Sequence, residues 1–140
     1  MLEWEQGVSI VCGGTIYTPQ TIITAANCCA ALKEIIENGS VTLNDNEIRG
    51  GELVLSETSG VEQTKKIRDY LIHPNYNTNH YDGVGSDDIC LLFLESELEF
   101  NDQVKSISLN TDATTSGMEC VVSGWGIYVS IWNNNLTRFY

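Results

Sequence analysis

Basic side chains are scarce in this chain: seven Lys and Arg stand against nineteen Asp and Glu, a net charge of −12 over 140 residues. A surface of that sign repels phosphate backbones and anionic headgroups, so neither nucleic acid nor a membrane surface is an expected partner. Long apolar runs are missing as well, none approaching the roughly 18 residues a bilayer-crossing helix needs. The opening Met1-Leu2-Glu3-Trp4-Glu5 has no basic segment followed by an apolar stretch, so no secretory signal is read there. Histidine occurs only at His73 and His80, and no cysteines stand as Cys-x-x-Cys. The usual zinc ligand set is therefore not assembled. Repeats are absent, and Asn133-Asn134-Asn135 is the one low-complexity tract.

What is present reads as a globular chain with the length of one ordinary domain, 42% hydrophobic and 19% charged. Five cysteines and two N-glycosylation acceptors, Asn38-Gly39-Ser40 and Asn135-Leu136-Thr137, point to a secreted protein. A secreted type of sequence without a signal peptide leads us to expect an N-terminus that continues upstream. Most of the chain reads as short strands broken by Gly, Asn, Asp and Ser clusters, an all-β sandwich or barrel pattern. The expected strands are 7–12, 15–17, 21–25, 41–43, 62–72, 89–94 and 119–123. One segment differs: Ala31, Leu32, Ile35 and Ile36 fall at helical spacing, and Asn38-Gly39 stops the helix. Loops are expected at 44–46, 75–85 and 110–117, the last a linker between a first unit, 1–109, and a second, 118–140.

Four motifs occur in order: Cys12-Gly13-Gly14, Thr24-Ala25-Ala26-Asn27-Cys28, Asp87-Asp88-Ile89 with Leu91-Leu92, and Ser123-Gly124-Trp125-Gly126. Together they resemble trypsin-like serine proteases, the peptidase S1 domain of chymotrypsin fold, over nearly the whole chain. The resemblance implies an all-β first Greek-key barrel up to about Leu109 and the start of a second barrel after the linker. It also implies a disulfide between Cys12 and Cys28, pinning the loop that holds the catalytic base. Asp88 matches the triad aspartate and is expected to be a partly buried, oriented carboxylate. Asn27 stands where the triad histidine belongs. An amide has no titratable nitrogen near neutral pH, so it cannot take a serine proton as imidazole does. It could copy part of the geometry, its side chain donating to Asp88.

No Gly-Asp-Ser-Gly-Gly occurs in these 140 residues, and no Ile-Val-Gly-Gly-type activation end precedes Cys12. His73 resembles part of a family surface loop and His80 sits in a polar loop, so neither is expected to replace the base. Cys29 and Cys90 are read as buried apolar thiols in preference to a pair. The family partner of Cys120 would lie in the second half, and an odd total leaves at least one thiol unpaired or bonded to another chain. Gly51-Glu52 with Gly60-Val61-Glu62-Gln63 resembles the family's calcium loop. Glu52 and Glu62 would be its carboxylate ligands, with backbone carbonyls and water completing the shell. Ser59 replaces a third acidic residue often found there, with Glu57 close by. No cofactor is required, and calcium is the one candidate.

Three expectations follow. The chain is a truncated, inactive piece of a serine endopeptidase; or it is a non-catalytic secreted homologue that binds a protein or peptide; or it is a half-barrel module that buries its exposed strand against another chain.

Overall fold

The computed structural model describes residues 2–4, 12–77, 86–125, 130–132 and 135–137, the first and the last two stretches as backbone alone. The chain passes through β1 (Leu2–Trp4), β2 (Thr15–Thr18), β3 (Thr21–Thr24), α1 (Ala26–Glu37) and a single 3-10 turn (Leu43–Asp45). It continues through β4 (Asn46–Gly50), β5 (Gln63–Ile72), β6 (Cys90–Leu94), β7 (Ser130–Trp132) and β8 (Asn135–Thr137). Two compact units result, Met1–Leu109 and Asn110–Tyr140.

In the first unit six antiparallel strands form one curled sheet in the order β1-β4-β5-β6-β3-β2, the half-barrel of the expected all-β class. Alternation builds it. Along β6 residues Cys90, Leu92 and Leu94 point inward, and along β4 Asn46, Ile48 and Gly50 do. Of these, Cys90, Leu92, Leu94 and Ile48 make one core with Ile22, Ile67, Leu32, Leu98 and Val104, in which Ile67, Leu92, Leu94 and Val104 are fully buried. A buried aliphatic side chain contributes about 1.5–3 kcal/mol of transfer free energy, so this cluster outweighs any single polar contact. Gly14 is needed for close approach: a Cβ there would lie 2.7 Å from Ile22 Cγ2.

Helix α1 packs Ala26, Cys29 and Leu32 on the core. Spacing of three keeps them on one face. Its C-terminus closes with Gly39 at φ +73°, a conformation glycine adopts without a Cβ penalty.

Two strand expectations change. Residues 41–43 are not a strand. Asp45 caps the Thr42 N–H at 2.7 Å, winding the 3-10 turn, and the strand begins only at Asn46. Residues 119–123 form no strand either, because they pair with no neighbour among the described residues; Val121 is 98% exposed. The expected strand 7–12 lies outside the described residues apart from Cys12, and so does His80. In the second unit β7 and β8 form an antiparallel hairpin with Trp132 opposite Asn135.

Candidate functional site

The site grows from the place where β3 ends and α1 begins. Thr24, the last residue of β3, pairs with Cys90 at the start of β6. This register sets Ala25-Ala26-Asn27 beside Asp88. The backbone around Asp88 is tightly turned: Asp87 has φ +54°, and the Ile89 N–H donates back to the Asp87 carbonyl at 2.8 Å. Aspartate tolerates that left-handed conformation better than most residues. The turn aims the Asp88 carboxylate at the helix start, where Oδ1 accepts the Asn27 backbone N–H at 2.8 Å.

The donor is thus the main chain. Among the described residues the Asn27 side chain, exposed at the surface, makes no hydrogen bond to Asp88. The expected amide-to-carboxylate contact is therefore replaced by a backbone one. Helix α1 has Ala25 at its N-cap, no side-chain cap of its own and no acid in its first turn. Asp88, 61 residues further along the chain, serves as its cap and places a negative charge at the positive end of the helix dipole.

Two disulfides hold this corner. Cys12 is bonded to Cys28, closing a separation of 16 residues. Thr24 Oγ1 donates to the Gly13 carbonyl at 2.8 Å, tying the same loop to β3. Cys29 and Cys90, expected as buried thiols, are bonded to each other across 61 residues, and each is 1% exposed. The reason is topological. Cys90 sits opposite Thr24 in the sheet, and Cys29 follows only five residues after Thr24 on the first turns of the helix. Sequence spacing does not display that neighbourhood. Among the described residues Cys120 is the free cysteine, and it is exposed.

Tyr76 belongs here too, although nothing in its sequence setting marked it. Burial first, and then the negative charge of Asp88, push its phenol above the ordinary 10.0. His73 lies on the far side of the same turn. Its N–H donates to the Ile89 carbonyl at 3.0 Å, and its Nδ1 accepts the Asn75 N–H at 3.3 Å. The Nδ1 stands 3.9 Å from Asp87 Oδ1, a long contact between half-exposed groups that is worth little.

The acidic loop is a second, separate feature. Gly51 at φ +79° leaves a Cβ no room, with Val104 Cγ2 and the Val61 carbonyl each 3.0 Å away. The turn buries the Glu52 side chain to 1% exposure, where Oε2 meets Arg49 Nη1 at 3.3 Å and Oε1 is buried with no partner. Glu62 is anchored locally. Its Oε1 accepts the Ser59 hydroxyl at 2.6 Å and the Ser59 N–H at 2.7 Å, and its Oε2 accepts the Gly60 N–H at 2.8 Å. The Ser59 hydroxyl, followed by the backbone N–H groups, holds this carboxyl down at about 2. Glu57 is exposed.

A buried carboxylate oxygen without a partner costs at least about 1–3 kcal/mol, and a hard cation would satisfy it. To that extent Glu52 fits calcium. Among the described residues no three His, Cys, Asp or Glu side chains gather around a metal position, so the other ligands would have to be backbone carbonyls and water.

The family profile described as Trypsin matches residues 1–138. Among curated proteins, Trypsin beta of Drosophila erecta is 36% identical over 125 residues, 89% of this chain and 43% of that protein. Cationic trypsin-3 of Rattus norvegicus is 32% identical over 123 residues, 88% of this chain and 43% of that protein. Kallikrein-9 of Homo sapiens is 27% identical over 127 residues, 88% and 46% respectively. The chain thus spans less than half the length of these relatives.

Proposed function

This chain belongs to the trypsin family, and from that premise we propose that it is a non-catalytic member: a secreted binding or regulatory protein, its partner a protein or peptide, built on the scaffold of a serine endopeptidase. One observation carries the reading. At the position of the general base stands Asn27, at the start of α1 with its backbone bonded to Asp88. A carboxylate that orients an imidazole has no imidazole to orient, and a carboxamide accepts no proton near pH 7. No further length of chain can supply a base at an internal position already occupied. Where triad members act as a unit, loss of one lowers turnover by roughly 10⁴- to 10⁶-fold. The buried disulfides support a secretory destination.

The purified protein is expected to cleave Arg- and Lys-linked peptide esters no faster than a protein-free blank and to stay unlabelled by a fluorophosphonate. Hydrolysis above blank, or stoichiometric labelling, overturns the reading.

The orphaned Glu52 Oε1 supports one addition: the loop 50–62 takes a calcium ion through Glu52 and Glu62, with affinity weakened by Ser59 in place of an acid and by the Arg49 charge. The ion would act structurally, neutralising two carboxylates and closing the loop. Millimolar calcium is expected to raise the melting temperature, and Glu52→Gln to abolish the rise. An identical melting temperature in calcium and in chelator would refute it.

A further inference from the structure

The end of helix α1 carries the tripeptide Asn38-Gly39-Ser40, and we propose that Asn38 is a site of N-linked glycosylation, modified by a lipid-diphosphate-linked oligosaccharide. The triplet alone is a weak signal, since Asn-x-Ser arises often by chance; its placement is what distinguishes it. All three residues are exposed. The helix end consumes every backbone donor of the triplet. Asn38 N–H donates to the Glu34 carbonyl at 3.0 Å, Gly39 N–H to Ile36 at 2.9 Å and Ser40 N–H to Ile35 at 3.3 Å. The last two are the paired bonds of a Schellman ending. The turn therefore holds its shape through main-chain bonds, and no described residue hydrogen-bonds the Asn38 carboxamide or the Ser40 hydroxyl. Both groups are left for an enzyme to read.

Space is available too. A Cβ built on Gly39 meets nothing within 4 Å, so the turn stands clear of its surroundings. The residues α1 buries fully are Ala26, Cys29 and Leu32, and Ile35 and Ile36 pack partly against the core, while Asn38 itself is exposed beyond them. A glycan on Asn38 then extends into water without displacing core contacts. It also sits about 16 Å along the helix axis from Asn27, at 1.5 Å per residue, and leaves the Asp88 corner open.

The transfer forms a bond between the Asn38 amide nitrogen and the anomeric carbon of the oligosaccharide. The bond from that carbon to the diphosphate oxygen breaks, the amide gives up a proton, and the lipid diphosphate leaves. The Ser40 hydroxyl is the recognition group. The inference rests on the secretory part of the function proposed above and is independent of the loss of catalysis.

The test is to send the full chain into the lumen of the endoplasmic reticulum of insect cells behind a cleavable leader. A mobility difference with and without reductant then reports disulfide formation, and hence arrival in the lumen. Peptide:N-glycosidase F is expected to increase gel mobility and convert Asn38 to Asp in the tryptic peptide. Asn38→Gln and, separately, Ser40→Ala, which keeps the asparagine, are each expected to lose one glycan; Asn135→Gln is expected to retain the Asn38 glycan. Recovery of Asn38 as an unmodified amide from oxidised chain overturns the proposal, whether or not Asn135 carries sugar. Hydrolytic activity in the same material would sink the non-catalytic reading and leave this one standing.

Discussion

Asp88 accepts the Asn27 N–H at 2.8 Å, which is the bond an N-cap side chain ordinarily supplies from within the helix's own sequence. The carboxylate thus has a structural task that needs no imidazole at position 27, and its removal has a size that can be stated. Asp88→Ala is expected to lower the unfolding free energy by about 1 kcal/mol, the usual cost of a lost cap, and to reduce hydrogen-exchange protection at the start of α1. Asp88→Asn keeps an acceptor oxygen but loses the charge, and should cost about half as much. Urea titration of the three proteins checks the order. Equal stability of all three would mean that the bond contributes nothing to the helix. The motif around Asp88 was legible in the sequence because its flank is a strong apolar strand. The nearby Tyr76 was not, since only the fold brings its ring within reach of the Asp88 charge.

The elements whose sequences alternate or repeat clearly were legible as such. Strands β2, β3, β5 and β6 lie within a residue or two of the segments expected between the Gly, Asn, Asp and Ser clusters, and α1 ends where Asn38-Gly39 predicted. Strand β4 was not readable because Asn46, Glu47, Arg49 and Gly50 look like a loop. Pairing with β5, together with the burial of Asn46 and Ile48, decides it. The loop that follows has a pH dependence of definite sign. The Glu62 carboxyl is held at about 2 in the folded protein against an ordinary value of 4.5. A depressed value means the folded state binds the proton more weakly than the unfolded chain does. The stabilisation is therefore present in full above about pH 4.5 and is lost as pH falls toward 2. Glu62→Gln is expected to lower the melting temperature at neutral pH and to flatten its decline across that acid window. An unchanged acid limb in the variant would remove Glu62 from the account.

At the scale of the whole molecule the Cys29–Cys90 bond is the strongest single tie between helix and sheet. Its loop of 61 residues is worth about 4 kcal/mol in the chain-entropy treatment, against about 3 for the 16-residue loop of Cys12–Cys28. The double variant Cys29→Ala, Cys90→Ala is therefore expected to lose more stability than Cys12→Ala, Cys28→Ala, with faster exchange of the Asn27 amide. Thermal unfolding and hydrogen exchange of the two variants decide the ranking. The sequence by itself determined the strand class, the helix and the family, because periodicity and short motifs are local and survive without neighbours. It determined, through one residue, that no imidazole stands at position 27. Only the tertiary structure decided that Cys29 meets Cys90 and that Asp88 caps α1. Each of these depends on which distant segments the sheet register lays side by side, and no local spacing records that.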